Sequence, residues 1–198
     1  MLEIFSALMG LIQGVLIMLN KKENWIFYML NIITLMVFSY ISKLYGDVLE
    51  NAVYMLLGLL GTLTWYSSNI SEKFLGKNSR IQYCSNKERL YYILGFIGVT
   101  ILSYLWLLST DDPQPLLDAV TTGLGLTATV LMALKKVDAW ALWFIDDILM
   151  AIVYFRLEDR ALYLMTLNIV WVFLAIASYY TWDKITKLEK EKEGTTVA

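Results

Sequence analysis

The most informative absence in this 198-residue sequence is histidine, which does not occur at all. Cysteine occurs once, at Cys84, so no intrachain disulfide can form, and the usual histidine and cysteine ligand sets for zinc or haem are missing. Charged residues make up only 17% of the chain and the formal net charge is −2, which leaves no basic field for nucleic acid. We therefore expect no metal, no cofactor and no nucleic-acid partner.

Apolar and aromatic side chains are abundant instead. Hydrophobic residues make up 58% of the chain, with 7 Trp and 13 Tyr, a composition too apolar for a soluble domain of this size. Helices are predicted for the apolar runs because lipid cannot satisfy unpaired backbone groups. Seven runs of about 18 to 22 residues, the length that crosses about 30 Å of hydrocarbon, fall at 2–19, 25–42, 48–68, 90–109, 115–134, 139–157 and 161–182. We interpret the first run as a retained span, since an acid stands where a signal peptide would carry basic residues.

The basic residues predict how these spans are oriented. Of the 16 Lys and Arg residues, only Lys43, Arg156 and Arg160 fall on one side of the predicted spans. By the positive-inside rule the other side is cytoplasmic, which predicts an inner-membrane protein with an outside N-terminus and an inside C-terminus. The basic residues on that side are Lys21, Lys22, Lys73, Lys77, Arg80, Lys87, Arg89, Lys135, Lys136, Lys184, Lys187, Lys190 and Lys192.

Two parts of the sequence share a pattern. KKENWIFYMLN at 21–31 and KKVDAWALWFID at 135–146 each place a Trp after a lysine pair, and Asn31 then stands in the place of Asp146. Each of two further sets forms one stripe along its helix, with small residues where another helix can approach closely. The sets have identical spacing and consist of Asn51, Tyr54, Gly58, Gly61 and Trp65, and of Asn168, Trp171, Ala175, Ser178 and Trp182.

Three spans, one linking span and three further spans would give two halves of the same orientation. The predicted fold is therefore an all-α membrane protein with a 3+1+3 parallel repeat, as in SWEET transporters. The alternative is chance recurrence in a Trp-rich membrane chain. The predicted domains are a first three-helix bundle at 1–68, a cytoplasmic loop and linker helix at 69–114, a second three-helix bundle at 115–182 and a charged cytoplasmic tail at 183–198.

The predicted span 139–157 contains two adjacent acids, Asp146 and Asp147. On an insertion scale two ionised Asp residues near a span centre cost about 5 to 7 kcal/mol, whereas the Leu, Ile, Val and Phe residues of this span return only about 3 to 5 kcal/mol. Both acids are therefore expected to face a bundle interior or a water-filled cavity, where ionisable residues mark substrate pathways. The alternative is a structural acid pair bonded to a neighbouring helix.

The tryptophans fall into two groups by depth. Trp143 and Trp171 lie deep in their spans, share stripes with Asp147 and Asn168, and are predicted to stack on a planar ligand. The others are interpreted as an aromatic belt at the membrane surfaces. These belt residues are Trp25, Trp65, Trp106, Trp140 and Trp182.

Polar residues of other spans complete the predicted substrate-binding set. Such a set suits a small molecule with a flat ring, cationic or neutral, and a hydroxyl-bearing part. Helix packing through small residues and bonds from Thr to the backbone is the alternative for the threonines, and Asn31 is equally ambiguous. The added residues are Asn31, Asn51, Tyr54, Thr121, Thr122, Thr129 and Asn168.

Other classes of seven-span protein fit less well than a transporter. An aspartyl intramembrane protease would need YD and GxGD on separate helices, but the acids here are adjacent and no GxGD occurs. A retinal protein needs a lysine in its last span, and 161–182 contains none. We expect no enzymatic activity, and a purely structural membrane subunit is the remaining alternative.

Three stretches of the sequence resemble PnuC-type vitamin transporters: KLYGDVLENAVYMLLGLLGTLTW at 43–65, PLLDAVTTGLGLTATVLMALKKVDAWALWFIDDI at 115–148, and LYLMTLNIVWVFLAIASYYTW at 162–182. Trp-x-x-Trp-x-x-Asp together with Leu-Tyr-Gly-Asp is fairly specific, and the resemblance covers nearly the whole chain. It implies a SWEET-like fold, a homotrimer, and facilitated uptake of nicotinamide riboside by alternating access, with cytoplasmic phosphorylation preventing its return. Relatives that carry thiamine or riboflavin define the alternative cargo.

The sequence departs from the family pattern on the predicted stripes. Gln is common in the family where this chain has Asn51 and Thr129, and Gly-Trp is common where it has Gly61 and Thr62. Exchanging Gln for a shorter amide or a hydroxyl changes hydrogen-bond reach by about an ångström, enough to retune a buried polar contact. The resemblance therefore specifies the fold more closely than the cargo.

Overall fold

The computed structural model describes residues 2–41, 45–75, 80–110, 112–156 and 162–196. Apart from one isolated bridge between Gln82 and Lys136, the regular structure of these residues is helical. The helices are α1 (Leu2–Met18), α2 (Asn24–Ile41), α3 (Tyr45–Tyr66), α4 (Ser68–Leu75), α5 (Asn86–Leu107), α6 (Pro115–Ala133), α7 (Ala139–Arg156) and α8 (Leu162–Thr196).

Seven of these helices coincide with the predicted spans, which confirms the all-α prediction. The short helix α4 lies in the segment predicted as a polar loop, and α8 continues well beyond the predicted span end at 182. Three stretches are long and apolar enough to cross a membrane within the described part of the chain: Asn86–Leu107, Pro115–Ala133 and Met165–Lys192. The chain is accordingly a multi-pass membrane protein.

Local sequence explains where two of these helices begin. Ser85 precedes α5, and its hydroxyl accepts the backbone N–H of Glu88 while the Glu88 carboxylate accepts the backbone N–H of Ser85. This reciprocal capping box satisfies two donors that a helix N-terminus leaves unpaired. Pro115 opens α6 at the position where a missing N–H costs nothing.

The α1–α2 and α6–α7 connections have the same backbone. In each, a non-glycine residue at positive φ follows the first helix: Asn20 at 54° and Lys135 at 53°. The next N–H groups, of Lys21 and Lys136, donate to the carbonyls of Leu16 and Leu131 at 2.9 and 2.8 Å. This pairing is the Schellman ending of a helix. In both connections the residue at positive φ stands five residues before the matched tryptophan, Trp25 or Trp140.

The chain divides into two compact units. The first comprises Met1–Ile81, Met132–Lys135 and Thr181–Ala198, and the second comprises Gln82–Leu131 and Lys136–Tyr180. In the first unit α1 packs on α2, and α2 packs on α3. Close packing there depends on glycine, because a Cβ at Gly61 would overlap the ring of Trp25.

The second unit contains α5 and α7, together with most of α6 and the first part of α8. No described residue of α5 is buried, although this helix is apolar around its whole circumference. At Gly123 of α6 the α5 side chains Phe96 and Thr100 come so close that an added Cβ would collide with the Thr100 hydroxyl. A small residue therefore brings α6 against α5, as small residues do between membrane helices.

Candidate substrate site

The two acids of α7 lie inside the second unit. Asp146 is 6% exposed and Asp147 is 7% exposed, while Ile145 and Ile148, beside them in the sequence, are 46% and 38% exposed. Successive residues are about 100° apart on a helix, so burial of both acids requires protein along a broad face of α7. The expectation that the acids face the protein interior rather than lipid is confirmed.

Trp143 lies one turn before Asp147 on the same face of α7. Its ring is half-buried, and its indole N–H is buried without a hydrogen-bond partner among the described residues. A buried indole N–H normally finds an acceptor. Trp143 can therefore offer both an aromatic face and one donor to a ligand.

The three predicted threonines lie on α6, also in the second unit. The hydroxyl of Thr129, which is fully buried, donates to the carbonyl of Gly125 at 2.8 Å, and that of Thr121 donates to the carbonyl of Asp118 at 3.0 Å. Thr122 is half-buried. Bonds from Thr to its own helix satisfy a hydroxyl within a membrane, so Thr121 and Thr129 already have the structural contacts that the alternative interpretation describes.

Two predicted residues of α8 complete the set in the second unit. Asn168 and Trp171 are half-buried and stand three residues apart, so they share one face of the helix. The amide of Asn168 and the ring of Trp171 therefore lie on the same side of α8.

The remaining predicted residues lie in the first unit. The side-chain oxygen of Asn31 in α2 accepts a hydrogen bond from the hydroxyl of Ser6 in α1, so this oxygen already serves helix packing. Asn51 and Tyr54 of α3 are half-buried, and the backbone carbonyl of Tyr54 accepts the hydroxyl of Tyr28 at 3.2 Å. The structure therefore groups eight of the predicted residues in one unit and three in the other.

The interpretation of four tryptophans as membrane anchors is wrong. Trp25 and Trp182 are fully buried, Trp140 is 5% exposed and Trp65 is 9% exposed, so protein rather than lipid surrounds these rings. Of the five proposed belt residues, only Trp106, which is 47% exposed, has the exposure that a belt residue needs.

Three of the buried rings, Trp25, Trp65 and Trp182, form a cluster in the first unit that we call the indole plug. The ring of Trp65 lies 6.1 Å from that of Trp25 and 6.3 Å from that of Trp182, distances typical of interacting aromatic pairs. The ammonium of Lys135 lies 4.5 Å above the Trp65 ring, and burial lowers the pKa of that ammonium. The sequence carried a signal for this cluster, since the Thr-Trp pairs 64–65 and 181–182 end the two matching stripes.

A charged cluster of the second unit was also missed. The ammonium of Lys136, which is 5% exposed, lies 2.6 Å from the carboxylate of Glu88, and Asp138 bonds both the side chain of Arg89 at 2.9 Å and the backbone N–H of Cys84 at 2.8 Å. These contacts fasten the start of α5 to the α6–α7 connection. Burial, helped by the nearby Asp138 carboxylate, raises the pKa of the Cys84 thiol to about 12.

The chain combines helices suited to crossing a membrane with a further apolar helix, α7, which carries two buried acids and an indole N–H that has no partner among the described residues. This combination is typical of membrane transport proteins. The family model described as "Nicotinamide mononucleotide transporter" matches residues 1–184. The chain belongs to this family.

Individual relatives agree with that assignment. The chain is 24% identical over 188 residues to the nicotinamide riboside transporter PnuC of Neisseria mucosa, covering 92% of this chain and 72% of that protein. It is also 24% identical to the PnuC protein of Haemophilus influenzae, which carries the same description, covering 94% of this chain and 80% of that protein. The crystal structure of the vitamin B3 transporter PnuC superimposes with a TM-score of 0.74 at 24% identity, covering 94% of this chain and 82% of that chain, so the fold is the same.

Proposed function

We propose that this protein takes up nicotinamide riboside across the inner membrane by facilitated diffusion. The observation that carries the proposal is the buried acid pair Asp146 and Asp147 on a helix of a chain that belongs to this transporter family. Nicotinamide riboside joins a cationic ring to a ribose. A buried carboxylate attracts such a cation strongly, and its oxygens accept ribose hydroxyls.

In the proposed site the aromatic residues hold the ring. Trp143 and Trp171 stack on it, and the unpartnered indole N–H of Trp143 gives the polar part of the ligand a donor. One acid balances the ring charge, and the other accepts ribose hydroxyls. Asn168 and Thr122 add polar contacts, and Thr121 and Thr129 support α6. For Asn31, Asn51 and Tyr54, which belong to the first unit, a substrate-binding role stays a prediction from the sequence.

The proposed mechanism is alternating access between two halves. The first three-helix bundle spans 1–68 and the second spans 115–182, with α5 as linker, the SWEET-like 3+1+3 arrangement in which both halves have the same orientation. The matching backbone of the α1–α2 and α6–α7 connections supports this parallel repeat. The N-terminus then lies outside and the tail 183–198 in the cytoplasm.

We also propose that three copies associate within lipid. The apolar helix α5 buries none of its described residues within one chain, so the part of its surface that does not contact α6 is available for lipid and for neighbouring copies. Cross-linking of the protein in native membranes is expected to give a ladder that stops at three copies.

Uptake of labelled nicotinamide riboside, thiamine and riboflavin into cells lacking their own transporters tests the cargo. Nicotinamide riboside is expected to enter well above background; entry of thiamine or riboflavin alone would replace the cargo, and entry of none would overturn the assignment. Collapsing the proton gradient across liposomes tests the mechanism. Uptake is expected to continue down the substrate gradient, and immediate arrest would make the acid pair a proton relay.

A further inference from the structure

The indole plug contains a reciprocal pair of hydrogen bonds. The indole N–H of Trp65, in the last turn of α3, donates to the carbonyl of Ala133 at the end of α6 at 3.0 Å. The indole N–H of Trp182 in α8 donates to the carbonyl of Ile17 at the end of α1, also at 3.0 Å. Each bond joins the third helix of one proposed repeat to the first helix of the other.

The acceptors are carbonyls that a helix end leaves without intrahelical partners. Ala133 also accepts the hydroxyl of Thr64 at 3.0 Å, and Ile17 also accepts the backbone N–H of Asn20 at 2.9 Å. The Asn20 N–H belongs to the α1–α2 connection and stays with the Ile17 carbonyl when Trp182 leaves. Thr64 stands beside Trp65 on α3, so it leaves the Ala133 carbonyl together with that indole, and its hydroxyl keeps its bonds to the carbonyls of Leu60 and Gly61. The Ile17 carbonyl and the Thr64 hydroxyl therefore keep a hydrogen-bond partner when the paired indole bonds break, which lowers the cost of opening this contact.

The indole plug is closely packed and shielded from solvent. Trp25 and Trp182 are fully buried, and the absence of a side chain at Gly61 lets the Trp25 ring press against α3. Trp25 itself carries a buried indole N–H with no partner among the described residues, so its ring is held by packing alone. The same helix ends are followed by the basic residues of the two matching patterns, which mark this as the basic side of the chain: Lys21, Lys22, Lys135 and Lys136.

We propose that the paired indole bonds of Trp65 and Trp182 are the gate on the basic, cytoplasmic side, and that both must break before cargo is released. The inference rests on the proposed transport function, because a gate requires a pathway. Movement of one repeat against the other at this end separates α3 from α6 and α8 from α1 together. Contacts inside one repeat, such as that of Trp25 with Gly61, survive the movement.

The test is thiol labelling in lipid nanodiscs, where both faces of the protein are accessible. Ile17→Cys places a thiol in the plug at a side chain that is 1% exposed. The native Cys84 stays in place, because a thiol of pKa about 12 is scarcely reactive at neutral pH. Trp182→Phe and Trp65→Phe, each combined with Ile17→Cys, delete one indole N–H and keep a ring; the matched control is the exposed Trp106→Phe in the same Ile17→Cys background.

A membrane-impermeant maleimide is expected to label the thiol introduced at position 17 slowly in the Ile17→Cys parent and in the Trp106→Phe protein. In Trp182→Phe and Trp65→Phe the rate is expected to rise about fivefold, the population change that loss of one hydrogen bond gives. Equal rates in all four proteins would overturn the gate. If neither plug variant folds, the cluster is a structural core and the gate is likewise overturned.

Uptake is measured separately, so the two proposals can fail independently. If labelling is faster in both plug variants but the parent carries no nicotinamide riboside, the cargo is contradicted and the gate is supported. A parent that carries nicotinamide riboside while labelling is insensitive to both indoles contradicts the gate alone.

Discussion

The α1–α2 and α6–α7 connections share a backbone, but the helices that follow them differ in charge. In α2 the matched position is Asn31, whose oxygen accepts the Ser6 hydroxyl. In α7 the same position is Asp146, buried beside a second acid, Asp147. The two connections therefore share a backbone, whereas the matched position carries a charge in α7 and none in α2, a difference that suits the asymmetric, cationic cargo proposed above.

Removal of that charge should change transport more than any other substitution. Asp146→Asn and Asp147→Asn should each lower nicotinamide riboside uptake by about tenfold or more, because a charge-assisted contact is worth at least about 1.4 kcal/mol. Stability should be unchanged or higher, since a buried carboxylate costs folding energy. Initial uptake rate and thermal unfolding are the measurements.

The control for both acids is Asp112→Asn, in the α5–α6 connection, which should transport like the parent. If both α7 variants take up the cargo within about twofold of the parent, a difference under about 0.5 kcal/mol, the acids are a structural pair. The difference in charge between α2 and α7 would then have no role in transport.

The second prediction concerns Gly61, a small residue of the α3 stripe. Gly61→Ala should lower the free energy of unfolding by about 1 to 3 kcal/mol, because the added Cβ overlaps the ring of Trp25. Gly98→Ala is the control: nothing lies within 4 Å of its added Cβ, and alanine improves helix propensity, so stability should stay equal or rise by up to about 1 kcal/mol. Chemical unfolding in detergent measures both, and equal losses would argue against close packing at Gly61.

The third prediction compares the two lysine pairs. Lys136→Gln should lower the free energy of unfolding by about 1 to 3 kcal/mol, because the Glu88 carboxylate loses the ammonium that lies 2.6 Å from it. Lys21→Gln, in the exposed lysine pair, should change stability by less than about 0.5 kcal/mol. Thermal unfolding measures both variants. Similar losses of stability in the two would show that the buried Lys136 contributes no more to stability than the exposed Lys21.

The weakest effect is expected at Cys84. Burial keeps its pKa near 12, so the thiolate stays scarce from about pH 7 to about pH 9 and iodoacetamide should leave the folded protein unmodified. Unfolding should restore ordinary reactivity. Fast modification of the folded protein at about pH 8, followed by mass spectrometry, would contradict the buried placement.

Hydropathy predicted the seven long helices correctly, because an apolar run of about 20 residues has few alternatives in lipid. The same reasoning assigned Trp25, Trp65, Trp140 and Trp182 to a belt, and there it failed. Depth in a span does not say which side of a helix faces protein, and a Trp at a span end can equally close a helix bundle. The recurring Thr-Trp pair was the available clue.

At the candidate site the sequence predicted the burial of the two acids but not the hydrogen bonds of the polar side chains. Burial of Asp146 and Asp147 followed from the cost of charge in lipid. By contrast, the use of Thr129 and Thr121 in backbone bonds, and of Asn31 in a bond to Ser6, depends on side-chain rotamers that no spacing rule fixes. The ion pair of Lys136 with Glu88 joins residues far apart in the sequence, so no local sequence pattern predicted it.

Whether the α7 acids bind the cargo is tested most directly by calorimetric titration of nicotinamide riboside into the purified parent and into Asp147→Asn. We expect saturable binding to the parent and a dissociation constant at least about tenfold higher for Asp147→Asn, with Trp106→Phe binding like the parent. Equal affinity in the parent and the Asp147→Asn protein would contradict a cargo-binding role for the acid pair.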